Sequence, residues 1–142
     1  MEDFNEIMKT GLALKKVEAG SYSGLSLAYI GDAVYDLIIR TYVMNKGNMQ
    51  VNKMHQKTSS IVKAVSQAKM IEGMFEMLSE QEMSVYKRGR NSKPHTTAKN
   101  ASTQEYMKAT GFEALIGYLY LDGQYERLME LVVKGLEIIG EK

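Results

Sequence analysis

A chain of 142 residues with 18 Lys and Arg against 17 Asp and Glu, formal net charge +1, is the size of one domain. It can bury roughly 70% of the surface its unfolded form exposes, and its near-neutral balance argues against binding nucleic acid by bulk charge alone. The lack of cysteine excludes disulfides, thiolate nucleophiles and cysteine-type zinc sites, and accords with a reducing cytoplasm. No run of 18 apolar residues occurs, and the N-terminal MEDFNEIMKTG opens on acids without an apolar core. The expectation is a soluble cytoplasmic protein with neither a membrane span nor a signal peptide.

The alternation of half-buried strands is missing, and apolar residues recur at helical spacing, so the chain reads as all-α, one domain over residues 1–142. A first helix is expected over residues 3 to 17, ending before Gly20. A second runs from about Ser23 to Asn45, with Gly47 supplying a left-handed stop. Residues 49 to 78 read as a long helical stretch, interrupted around Thr58, Ser59 and Ser60. Ser79 with Glu82, and Ser102 with Glu105, have the spacing of capping boxes and start helices over about 80–90 and 103–121. Asp122-Gly123 closes the latter, and residues 124 to 139 form the last helix before Gly140. Eleven methionines read as flexible filler in a helical core.

Between the two boxed helices lies KRGRNSKPHTTAKN, which holds Lys87, Arg88, Arg90, Lys93 and Lys99, while no acid occurs between Glu82 and Glu105. One basic segment therefore sits on a mildly acidic body.

Two other segments carry acids where apolar residues dominate. In SLAYIGDAVYDLIIR, Asp32 shares its helical face with Leu25, Ala28, Tyr29, Tyr35, Asp36 and Ile39. Burial of a carboxylate there costs free energy unless a cation, donor or metal compensates. Asp36 has an ordinary partner in Arg40, four residues on, but Asp32 has none nearby. In ATGFEALIGYLYLDG, Glu113 lies in an apolar run beside Gly111, Ala114 and Gly117, small residues that permit close helix approach, with no basic residue three or four positions away. Two readings follow. The acids share a divalent cation through oxygen ligands, or each pairs with a basic group elsewhere in the fold.

These same segments carry a family resemblance. LAYIGDAVYDL resembles the signature helix of the ribonuclease III catalytic domain, whose usual form reads L-E-x-L-G-D-A-V-L, and GFEALIGYLYLDG resembles that family's D-A-F-E-A-L-I-G-A-I-Y-L-D-G. The likeness runs from about Gly24 to Ile139. Its length, which leaves no room for a separate double-stranded-RNA-binding domain, and the segments KRGRNSK and TGFEALIGYLYL are similar to the stand-alone Mini-ribonuclease III branch. The resemblance implies a homodimeric helical endonuclease domain in which Asp32 and Glu113 are catalytic metal ligands for Mg2+, with Mn2+ able to substitute. Ala28 and Thr110 stand where the wider family has two further carboxylates. A site thinned in this way is expected to bind metal weakly before substrate arrives, leaving coordination to water and phosphate.

The resemblance further implies hydrolysis of double-stranded RNA to 5′-phosphate and 3′-hydroxyl ends, on precursors of large-subunit (23S) ribosomal RNA. It places the signature helix, with Tyr29, Ile30 and Val34, at the dimer interface. Lys87, Arg88, Arg90, Lys93 and Lys99, with Asn91 and Asn100, are then expected to hold RNA phosphates, and replacing Arg88 and Arg90 to leave thermal stability alone. His55 and His95 read as surface or capping residues. Two alternatives remain: a catalytically inactive RNA-binding module of the same fold, and a helical interaction protein whose acids sit in ion pairs.

Overall fold

The computed structural model describes residues 3–92 and 102–142, and every regular element among them is helical. Seven α-helices follow in order: α1 Phe4–Gly11, α2 Gly24–Asn45, α3 Val51–Val62, α4 Ala64–Glu72, α5 Glu80–Arg90, α6 Thr103–Leu121 and α7 Tyr125–Ile138. Short 3-10 turns occupy Ala19–Ser21 and Phe75–Met77.

The most buried helix is α6, packed against α2, α4, α5 and α7. Its residues from Ala109 to Leu119, Glu113 excepted, are all buried, so it is apolar on every side, as a central helix must be. On α2 the buried residues Leu27, Gly31, Tyr35, Ile39 and Val43 repeat every fourth position and form one inward stripe. Both capping boxes form as the spacing requires. Ser79 Oγ accepts from the Glu82 amide at 3.1 Å while Glu82 Oε1 accepts from the Ser79 amide at 2.9 Å, and Ser102 and Glu105 repeat the exchange at 3.0 Å each way.

Two boundaries differ from the sequence expectation. The first helix stops at Gly11, not residue 17, because Ala13 takes φ 51° and the Ala13 and Leu14 amides bond back to the Thr10 and Lys9 carbonyls at 3.1 and 3.0 Å. That is a Schellman stop. It is hidden in the sequence because the left-handed residue is an alanine two positions past the glycine. The stretch over 49–78 does break, but at Lys63, whose backbone is extended (φ −63°, ψ 156°), and not at residues 58–60. Freed carbonyls at the break are taken by side chains: Ser66 Oγ donates to Ser60 and Gln67 Nε2 to Val62, each at 2.7 Å.

The crossing of α2 over α6 fixes the rest of the molecule. A Cβ built on Gly31 would overlap the carbonyl oxygen of Glu113, and one on Gly117 would overlap that of Leu27. The two backbones touch, so any side chain at either notch would push the helices apart. Behind the crossing, Tyr35 and Phe112 pack edge to face, their ring centroids 5.3 Å apart.

Candidate active site

Because Gly31 abuts the Glu113 backbone, its neighbour Asp32 is delivered to the Glu113 side chain. The two acids face one another there, and the charge of Asp32 is felt by the Glu113 carboxyl. Among the described residues neither acid forms an ion pair. By contrast, Asp36 pairs with Arg40 Nε at 2.7 Å as its spacing implied.

The burial expected for both acids is only half correct. Asp32 is exposed and Glu113 half-buried, because the inward stripe of α2 passes through Gly31 and Tyr35 and leaves residue 32 on its flank. Burial, followed by the charge of Asp32, pushes the Glu113 carboxyl up to about 8, opposed by a hydrogen bond from Gln67. A carboxyl held that high is protonated at neutral pH unless a cation arrives to favour its ionised form.

The two departures from the family pattern are visible in the fold. Thr110 is buried and its Oγ1 donates to the Tyr106 carbonyl of its own helix at 3.0 Å, so its hydroxyl turns away from ligand duty. Ala28 is also buried. Among the described residues no group of three or more Asp, Glu or His converges to hold a metal.

Sequence reasoning missed Gln67. It is almost fully buried on α4, and its Nε2 donates to Glu113 Oε2 at 3.2 Å as well as to the Val62 carbonyl. The signal was available: Gln67 is the polar member of a stripe whose other positions are Ala64, Ala68 and Ile71.

The basic residues divide into distinct roles. Lys87 and Asn91 are exposed at the end of α5, beside an open groove of about 670 Å³ that Lys87, Arg88 and Asn91 help to line. Arg90 is half-buried, with its guanidinium 5.6 Å from the centre of the Tyr86 ring and its Nε donating to Asn91 Oδ1 at 3.1 Å. Arg88 donates to the carbonyls of Gly20 and Tyr22, both at 3.0 Å, pinning the turn before α2 to α5. The clamp gives Arg88 a structural contact that the expectation of unchanged stability on its removal did not include. Lys93, Lys99, His95 and Asn100 lie outside the described residues, and His55 is exposed.

Two notched helices thus bring a pair of carboxylates, without a basic partner among the described residues, to one crossing of an all-helical domain. The family model for the ribonuclease III domain matches residues 25–124, and the chain belongs to that family of endoribonucleases. It is similar to the Mini-ribonuclease 3 of Clostridium tetani, 50% identical over 86% of this chain and 82% of the relative. The Mini-ribonuclease 3 of a Thermoanaerobacter species is 47% identical over 85% of each chain. A crystal structure of a Fusobacterium nucleatum protein superposes with a TM-score of 0.78 and 28% identity, over 89% of this chain and all of that one. Among the described residues, no helix is long and apolar enough to cross a membrane.

Proposed function

We propose that this chain cleaves double-stranded RNA with the help of a divalent cation held by Asp32 and Glu113. The observation that carries this reading is the convergence of the two acids at the Gly31 and Gly117 notches without a basic partner among the described residues. The donor set fits the cation. Both side chains offer hard oxygen ligands and no nitrogen or sulfur, which suits Mg2+, with Mn2+ as a substitute. Two ligands leave most of the coordination shell for water and phosphate oxygens, as magnesium prefers.

When bound, such a cation supplies Lewis-acid stabilisation of phosphate charge and lowers the pKa of water. The protein's own part is to hold the two carboxylates side by side, while the cation would favour the ionised form of Glu113 that burial and Asp32 oppose. The rigid helix crossing does this without loops. No side-chain nucleophile is needed, and the cleavage leaves 5′-phosphate and 3′-hydroxyl ends.

A duplex has two strands, and a second copy of the chain would set a second acid pair against the other. Leu25, Tyr29, Ala33 and Leu37 recur every fourth position along α2, and Tyr29 is 82% and Leu37 66% exposed. A homodimer formed through that stripe accounts for the exposed aromatic and aliphatic surface. Lys87, Arg90 and Asn91, with Lys93 and Lys99 of the following segment, would grip phosphates and 2′-hydroxyls across the shallow minor groove, reading shape more than sequence. Precursors of large-subunit ribosomal RNA in the cytoplasm are the substrate we assign.

Incubation of an RNA duplex with the protein and Mg2+, beside Asp32→Asn and Glu113→Gln, tests the assignment. Cleavage lost in both variants while duplex binding persists is the expected result. Binding without cleavage by the unaltered chain would make it an RNA-binding module instead.

A further inference from the structure

Gln67 is 2% exposed, at a position on α4 where an apolar residue would serve packing equally well. Its carboxamide is used one-sidedly. Nε2 donates twice, to the Val62 carbonyl at 2.7 Å and to Glu113 Oε2 at 3.2 Å, whereas Oε1 is buried with no hydrogen-bond partner among the described residues. An orphaned buried oxygen costs free energy. Turning the amide over would not recover that cost, because Oε1 would then face the Val62 carbonyl, itself an acceptor. The orientation is therefore dictated by the two acceptors, and the penalty is tolerated to meet them.

One of those acceptors exists only because the chain breaks. In a continuous helix the Val62 carbonyl would receive the amide four residues on. The extended backbone at Lys63 separates α3 from α4 and leaves it open. The break thus creates a fixed anchor on one side of the carboxamide, and Glu113 is what hangs from the other. The donor is also uncharged. A lysine or arginine here would neutralise the acid and compete with a cation, whereas an amide orients the carboxylate and leaves its charge available.

We propose that Gln67 is a positioning residue for the metal site, tethering Glu113 to the α3–α4 break so that the carboxylate meets a divalent cation shared with Asp32 already oriented. The proposal rests on the metal-assisted reading above. It explains how two carboxylates suffice at a site where Thr110 has turned its hydroxyl back on its own helix. Hydrogen bonds that hold ligating carboxylates in place raise metal affinity and activity by amounts comparable to the ligands' own tuning.

Gln67→Met keeps length and apolar volume and removes the donor. Mn2+ titration of the free protein, followed by the electron paramagnetic resonance of unbound Mn2+, is expected to show affinity reduced about tenfold or more. The value of kcat on an RNA duplex falls with it, while KM for the duplex stays unchanged because the buried side chain touches no RNA. Thermal stability without metal changes modestly, because the orphaned oxygen is gone but the Val62 carbonyl loses its donor. Unchanged Mn2+ affinity with a lowered Tm would overturn the proposal and leave Gln67 a residue of the helix break alone. If neither the unaltered protein nor its complex with an RNA duplex shows Mn2+ binding that Asp32→Asn abolishes, the metal reading itself fails. Should Gln67→Met not fold, the side-chain amide resonances of Gln67 in the unaltered protein decide. Movement on Mg2+ titration supports the tether, and resonances unmoved at saturating Mg2+ overturn it.

Discussion

Glu82 and Glu113 are both carboxylates on core helices, yet their surroundings push them in opposite directions. Glu82, on α5, is 5% exposed and receives Arg127 Nε and Nη2 at 2.8 and 2.9 Å, together with the Ser79 amide at 2.9 Å. Arg127 also donates to the Met77 carbonyl at 2.6 Å, so one guanidinium ties α7 to α5 and to the turn before it. Arg127 holds the Glu82 carboxyl below the ordinary carboxylate range. Glu113, on α6, has one neutral donor and faces another acid, and is driven upward. The first acid is completed by the fold and serves stability. The second has no counter-charge among the described residues, which is where the proposed cation would bind.

Neutralising each acid in turn separates the two roles with the largest effect. Asp32→Asn or Glu113→Gln removes a ligand whose charge stabilisation is worth several kcal/mol, so cleavage should fall about a thousandfold or more with the fold intact. Glu82→Gln should leave kcat per folded molecule unchanged. Initial rates on one duplex, with circular dichroism as the folding control, separate the two. Equal losses at Glu82 and Glu113 would abolish the distinction.

Removing the partner tests the other side. Arg127→Met leaves Glu82 buried without its guanidinium and should cost about 3 kcal/mol, read as a drop in Tm, while kcat is retained. The corresponding pH dependence has opposite signs at the two acids. Glu113 carries a folded-state pKa of about 8 against an ordinary 4.5, so the folded state holds the extra proton between those values. Metal-free stability should therefore decline as pH rises from 4.5 to 8. Glu113→Gln should flatten that decline, and Mg2+ should lessen it. Glu82, shifted downward, contributes stability above its ordinary value that is lost as pH falls through its lowered one. Melting curves across pH for both variants check the two slopes.

The smallest effect concerns the basic edge of α5. Lys87→Ala with Arg90→Ala should weaken duplex binding and reduce the salt slope by roughly one to two, since each phosphate left without its cation lowers the slope by about one. Their stability should change little. Arg88→Ala instead should lower Tm by releasing Gly20 and Tyr22. Filter binding at several salt concentrations, beside a melt, distinguishes the roles, and an unchanged salt slope would remove this edge from RNA binding.

Much of the fold was legible because its punctuation is local. Ser79 with Glu82, and Ser102 with Glu105, announce their helices by a spacing that needs no tertiary knowledge. Asp32 and Glu113 could be singled out for the same reason, as acids without a basic residue within one turn. What the sequence hid is non-local. The exposure of Asp32 depends on which stripe of a nearly all-apolar α2 faces inward, and the glycine notches that choose it read as mere permission until the helices are crossed. Arg88 sits in a basic run and looks like a phosphate ligand, but its clamp on Gly20 and Tyr22 spans more than sixty residues. Gln67 stands out as a polar residue in an apolar stripe, but its partners, a carbonyl freed by a helix break and an acid on another helix, are not local.

Anomalous diffraction from crystals grown with Mn2+ and an RNA duplex tests the central claim most directly. A manganese peak bonded to carboxylate oxygens of both Asp32 and Glu113 at about 2.0–2.3 Å is expected, near the distances of hard oxygen-bound cations. A map with no peak at the α2–α6 crossing, and each acid bridged to a lysine or arginine, would contradict it.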